Sequence, residues 1–295
     1  MLTKVLYFAL SVLIMVGIGL PIQAQDSGFK YPISVAATET GIYVADRQLP
    51  GIWVIAAGKT SIFHQAGKKF GTPLNAIRCL AIDSNGSLLA GDSATRDIYR
   101  LNTEGIPTAL TGGQIGIPMG IAVSGDGTIY VSDLELHRVV KLTSDGKVSE
   151  FAKVKGPAGM SFDTQGNLYV ASRGDARLVK ISMDGSATPV DGADKIRFAQ
   201  DVAVDANGRV LVTDGYGKAI WDFTDGAARL IEGSPLIHPV GISSSAAGTF
   251  LVDPRGAGVL KLDGEKAIPV LSCLLYTSDA ADEGLGVDLG GRRII

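Results

Sequence analysis

The chain has 295 residues, a formal net charge of -3, 19% charged and 6% aromatic residues, and 38 glycines. A balance this close to neutral excludes a general nucleic-acid binder, whose affinity would rest on a basic surface. The length allows one large all-β domain or two smaller ones.

At the start of the chain Lys4 precedes an apolar run over residues 5–20, followed by Pro21 and Ala24. A short basic region, an apolar stretch and a small residue before a cleavage point make the pattern of a secretory signal peptide, expected over residues 1–24. The run falls short of the roughly 20 apolar residues of a comfortable membrane span. An uncleaved anchor is the alternative. Cleavage would leave a periplasmic or secreted monomer with no membrane association.

From residue 31 onward three turn markers recur in register. Glycines close the first turn of each unit at Gly41, Gly86, Gly127, Gly166, Gly208 and Gly248, which lie 39 to 45 residues apart. That period is the period of propeller blades. After each comes an extended run ending at Asp46, Asp92, Asp133, Ser172, Asp214 or Asp253. One acid per repeat points to a structural use, a carboxylate bonding the amides of the following bend. The third marker is a hairpin turn closed by Gly58, Gly105, Gly146, Gly185, Gly226 or Gly264.

The clearest unit is IAVSGDGTIYVSDLELHRVVKLTSDGKVSEF, residues 121–151, four short apolar runs broken by Gly and Asp. It reads as a four-stranded antiparallel meander. A lone meander cannot bury both faces, whereas meanders stacked around an axis can. The units fall at about 31–71, 72–114, 115–154, 155–194, 195–234 and 235–272, and the prediction is an all-β six-bladed propeller spanning 25–272. Its innermost strands are expected at 34–37, 80–83, 121–124, 160–163, 202–205 and 242–245. Residues 25–30 are few for a strand that closes the ring, so closure is expected to depend on sequence beyond residue 272.

The repeat stops at Ser272. Residues 273–295, CLLYTSDAADEGLGVDLGGRRII, resemble a translated sequencing adapter and are set aside as non-native; a natural tail of small and charged residues is the alternative. Only Cys79 then remains, inside the apolar run 77–82, where a buried small hydrophobe is the expected role and no intrachain disulfide can form.

The repeated Pro, Gly-Ile-Ala-Val, turn, Ile-Tyr-Val-Ser-Asp, loop, Arg-Val-Val-Lys-Leu and Asp-Gly resembles the NHL repeat, best over residues 118–146 and more weakly over 159–185, 200–226 and 239–264. NHL propellers include binding modules and enzymes. The related senescence-marker and gluconolactonase propellers imply lactonase chemistry at one divalent metal on the axis. That resemblance places a Glu on the first innermost strand and Asn or Asp at the starts of later ones. Here the region of Ile33 and Ser34 has no Glu, the Asn-like positions hold Met119, Ala158, Gln200 and Val240, and Asp201 alone is a ligand type. One acid does not make a calcium site of six to eight oxygens.

Candidate binding residues follow from the strand positions. Arg78, Asp201 and His238 stand where innermost strands begin, near one mouth of the central channel. Arg47, Arg96, Arg173 and Arg255 recur in the variable loops after the second strands and offer a basic patch to an acidic sugar, peptide or surface polymer. Solvated channel lining and unpatterned surface arginine are the competing readings. The three histidines, His64, His137 and His238, occupy different positions in their units, so no three-histidine metal site is expected. The chain has no HExxH, nucleotide-binding glycine loop or nucleophile elbow. The expected function is a non-catalytic exported propeller, without metal or cofactor, that recognises a protein, peptide or envelope glycan through one face. A metal-dependent lactonase is the alternative.

Overall fold

A computed structural model of the chain describes residues 28–271 except 144, 145, 225, 234 and 257. The expected leader, residues 1–24, and the tail, 273–295, lie outside the described residues. Those described form six four-stranded sheets, each antiparallel and each built from strands in chain order. The six-bladed propeller is therefore what the chain folds into. The one helical turn among the described residues is the 3-10 segment Ala193–Lys195.

The innermost strands are Pro32–Ala37, Ile77–Ile82, Pro118–Val123, Pro157–Phe162, Ala199–Val204 and Ile242–Ser245. Most begin two or three residues earlier than the apolar pattern suggested. A bulge is the reason: the pairing register shifts at Pro32/Ser34, Ile77/Cys79, Pro157/Met160 and Ala199/Asp201, so the first residues of each strand pair outside the alternation. Several also end one residue earlier, because the acid expected as the last strand residue turns back to the hairpin. Asp83 accepts hydrogen bonds from Asn85 N and Ser87 N, and Asp205 from Asn207 N and Arg209 N. The glycines of the outer hairpins all adopt the left-handed conformation, φ 60 to 86°, as the tight turns required.

The apolar core lies between blades. Along a second strand such as Leu88–Asp92 every residue is buried; Leu88 and Ala90 pack on blade 1, while Leu89 packs on blade 3. Alternate side chains thus serve two neighbours, and the strand reads as continuously apolar. Equivalent clusters join blades 3 and 4, 4 and 5, and 5 and 6. A further cluster joins Val252 and Val259 of blade 6 to Phe29, Val35 and Val44 of blade 1.

The ring consequently closes through the same apolar seam that joins every other pair. The outer strand of blade 6, Lys266–Leu271, belongs to its own blade, and among the described residues no strand is exchanged. The expectation that closure depends on sequence beyond residue 272 is corrected on this point. The seams also share a close backbone approach. A Cβ on Gly120 would lie 2.7 Å from Ala158 O, and one on Gly241 would lie 2.8 Å from Ile33 O. Hydroxyls tie seams together as well: Ser132 Oγ donates to Ala158 O at 2.6 Å, Thr213 Oγ donates to Val240 O at 2.8 Å, and Ser34 Oγ accepts Leu80 N at 3.0 Å.

Each blade is pinned at one face by the residue ending its second strand. Asp46 accepts Lys30 N and Tyr31 N on one oxygen and Gln48 N and Leu49 N on the other. Asp92 accepts Leu74 N, Ala76 N and Ala94 N; Asp214 accepts Arg197 N, Phe198 N and Gly217 N; Asp253 accepts Ile237 N and His238 N. The expected capping of the local bend is present at Asp46, Asp92 and Asp214, and in all four blades the carboxylate fastens the segment that leads into the innermost strand, about 16 residues upstream. Blade 4 carries Ser172 instead, which donates to Lys155 O and accepts Gly174 N.

Gly241→Ala is expected to weaken the blade 6 to blade 1 seam by about 1–3 kcal/mol, the usual range for overpacking. The midpoint of urea unfolding is the measurement, with Gly125→Ala, where a Cβ meets nothing within 4 Å, as the control.

Candidate functional site

The six innermost strands surround an axial cavity of about 460 Å³. Its two ends differ chemically. Ile82, Val123, Phe162 and Val204 line the end where the innermost strands stop, and Tyr31, Arg47, Arg78, Arg173, Gln200 and His238 line the end where they start.

Three register positions supply the residues of that polar mouth. The clamp holds Tyr31, Ala76, Phe198 and His238 at one position. Two residues further on come Ile33, Arg78, Gln200 and Val240, and the residue after the clamp is Arg47 in blade 1 and Arg173 in blade 4. The mouth is thus an outcome of the clamp.

Arg78 lies within electrostatic reach of both Arg47 and Arg173. Burial first, then the charge of Arg47, lowers the pKa of Arg78; burial, then the charge of Arg78, lowers that of Arg173. Arg78 Nε donates to Ser93 Oγ at 3.0 Å, and Arg173 donates to Gln200 Oε1 at 3.4 Å and lies over the Phe198 ring at 5.4 Å. Arg173 Nε is buried without a partner. Among the described residues none of the three makes an ion pair, whereas Arg100, Arg138 and Arg209 pair with Asp83, Asp133 and Asp205. Asp92, whose field reaches Arg78, is committed to backbone amides of the clamp.

His238 completes the mouth. Its Nδ1 lies 3.0 Å from Gly215 O, and since a carbonyl only accepts, Nδ1 carries the proton and Nε2 offers a lone pair. Burial lowers its pKa, with the charge of Arg255 adding to that and the bond to Gly215 opposing it, so the ring is neutral near pH 7. Tyr216, 58% exposed, packs on Phe198 with ring centroids 4.6 Å apart and lies 6.0 Å from His238.

The other candidates are placed elsewhere. Arg96 pairs with Glu135 at 2.8 Å, and Arg255 is exposed outside the channel lining. His64 Nδ1 bonds Gly105 O and His137 Nδ1 accepts Gly156 N, so the three histidines belong to separate blades and do not converge. Among the described residues no three His, Cys, Asp or Glu side chains gather around a common point. Phe198, Tyr216 and Ser93 were not singled out from the sequence. Counting back about 16 residues from each clamp Asp would have found Phe198, and counting one or two forward would have found Ser93 and Tyr216.

Asp201 lies in the channel wall. Its carboxylate accepts Val202 N and, across the seam, Ile242 N, and it rests where a Cβ on Gly159 would otherwise be. Among the described residues no cation pairs with it, and burial raises its pKa to about 7 despite those two bonds. Burial likewise pushes the neighbouring Cys79 thiol up, so it stays protonated.

No family model matches the chain, and no curated protein matches it in sequence. Its likeness to known proteins is one of fold. A gluconolactonase of Xanthomonas campestris superposes with TM-score 0.66 at 17% identity, covering 78% of this chain and 86% of that one. Virginiamycin B lyase of Staphylococcus aureus gives 0.61 at 17%, covering 79% and 82%. A chain of the nidogen/laminin complex gives 0.62 at 19%, covering 79% and 88%. Enzymes and a binding protein share the scaffold, so the chemistry of the mouth has to carry the function.

The raised Asp201 pKa has a definite sign. The unfolded carboxyl titrates near pH 3.9 and the folded one near 7, so folding takes up a proton between these values. This contribution to stability is fully present below about pH 4 and is lost as pH rises through about 7. Asp201→Asn is expected to flatten the pH dependence of the unfolding free energy in that window by on the order of 1 kcal/mol per pH unit. Urea titrations of both proteins between pH 4 and 8 are the check, and an unchanged slope contradicts the assignment.

Proposed function

We propose that this chain is an exported, non-catalytic NHL-type propeller that binds an acidic ligand, on a protein, peptide or envelope glycan, over the polar mouth of its channel. The observation that carries the reading is the set of three guanidinium groups, Arg47, Arg78 and Arg173, that line one mouth of the channel without carboxylate partners among the described residues. Like charges gathered at one mouth disfavour one another, and an anion placed among them reverses that cost. Guanidinium also suits an anion geometrically, since its fork can take a carboxylate bidentately.

The lactonase reading has less support. Asp201, the one ligand-type acid that the resemblance offered, has both carboxylate oxygens on backbone amides. Export rests on the leader pattern of residues 1–24.

Binding of the purified protein to arrays of glycans and peptides, compared with Arg78→Ala, tests the reading. Acidic ligands are expected to dominate, to weaken at least 10-fold in the variant, and to weaken as salt is raised from about 50 to 500 mM. Hits that ignore both the substitution and salt refute it, as does turnover of a bound ligand detected by NMR. Mass analysis of the exported protein is expected to give Gln25 as its first residue.

A further inference from the structure

We infer that the ligand is a uronate, a sugar ring bearing a carboxylate, held with its carboxylate among Arg47, Arg78 and Arg173 and its ring against Tyr216. The inference rests on the mouth-binding reading and narrows it to one ligand chemistry.

Three kinds of contact stand side by side at the mouth. The arginines offer donors and positive charge. His238, neutral and with Nδ1–H given to Gly215 O, offers an acceptor at Nε2. Tyr216 offers an aromatic ring, 58% exposed and packed on Phe198 at 4.6 Å. They are contiguous, because Arg173 lies over Phe198, Phe198 packs on Tyr216, and Tyr216 lies beside His238.

A ligand that satisfies all three must carry an anion, a rigid apolar face, and a hydroxyl that can donate. A pyranuronate has these in one residue: the carboxylate on C5, a face of axial C–H groups that can lie on an aromatic ring, and ring hydroxyls. A glutamate or aspartate side chain brings only the carboxylate, on a flexible stem, and has neither the face nor the hydroxyl. A phosphate alone brings no face. A cavity of about 460 Å³ lies within the range that takes small ligands.

The test is calorimetric titration of the purified protein with trimers of galacturonate, guluronate and glucuronate, with neutral galactotriose, and with triglutamate. At least one uronate trimer is expected to bind 10-fold or more tightly than both galactotriose and triglutamate. Arg78→Ala and Tyr216→Ala are each expected to weaken it at least 10-fold. His238→Phe keeps an aromatic ring and removes the acceptor, and is expected to weaken uronate by about 5-fold or more. Tyr216 is exposed, so its replacement leaves the core intact. Triglutamate binding as well as every uronate, or uronate affinity untouched by Tyr216→Ala, overturns the inference. So does the absence of binding by all three uronate trimers. In each of these cases an acidic array ligand that still depends on Arg78 leaves the broader reading standing, and its absence removes that reading too.

Discussion

A carboxylate shut away from water at the end of the second strand is the interaction on which each Asp-bearing blade depends. Asp92, Asp133, Asp214 and Asp253 are completely buried; the first three are matched by backbone N–H donors from two directions, and Asp253 by Ile237 N and His238 N of the upstream segment. An unpaired charge in that position would be severely destabilising, so the carboxylate and the amides that meet it must form together. The bend after the second strand and the segment leading into the first are thereby fixed relative to one another. That is why residues distant in sequence, such as Arg47 and Tyr31, are delivered to the same end of the channel.

The chemistry of the mouth uses this frame without altering it. The clamp makes its bonds with backbone amides, so it is indifferent to the side chains it presents. Tyr31, Ala76, Phe198 and His238 are held alike although they differ in size, polarity and charge. A regular scaffold can then carry an irregular site, three arginines on one arc and an aromatic group with a neutral imidazole on another. Blade 4, where Ser172 replaces the acid, is also the blade that contributes Arg173, whose Nε is left buried without a partner.

Much of the fold was legible because it is written in turns. The glycines that the outer hairpins require, and the acids that close the second strands, recur at a period that only a repeat array explains, and the structure follows them. Strand starts were less legible, since a bulge displaces the alternation at the place where the eye looks for its beginning. Closure was misread for a different reason. The seam between blades 6 and 1 uses Val252, Val259, Val35 and Val44, residues with nothing to distinguish them from those of any other seam. In the site, Arg78 and His238 could be placed from strand register, and Arg47 and Arg173 only in the loops after the second strands, although they line the channel. Which arginines would be neutralised could not, because the partner of Arg96, Glu135, comes from the neighbouring unit.

Among the described residues the ring holds no exchanged strand, and this has a mechanical consequence. Neighbouring blades are joined by a stretch of chain that keeps them at high effective concentration if their packing fails, except for the pair formed by the first and the last. Tension applied at the two ends of the propeller therefore loads that one seam in series with nothing else. It parts first, and the blades then peel away singly from the break, as links in an array whose neighbours each hold only the next.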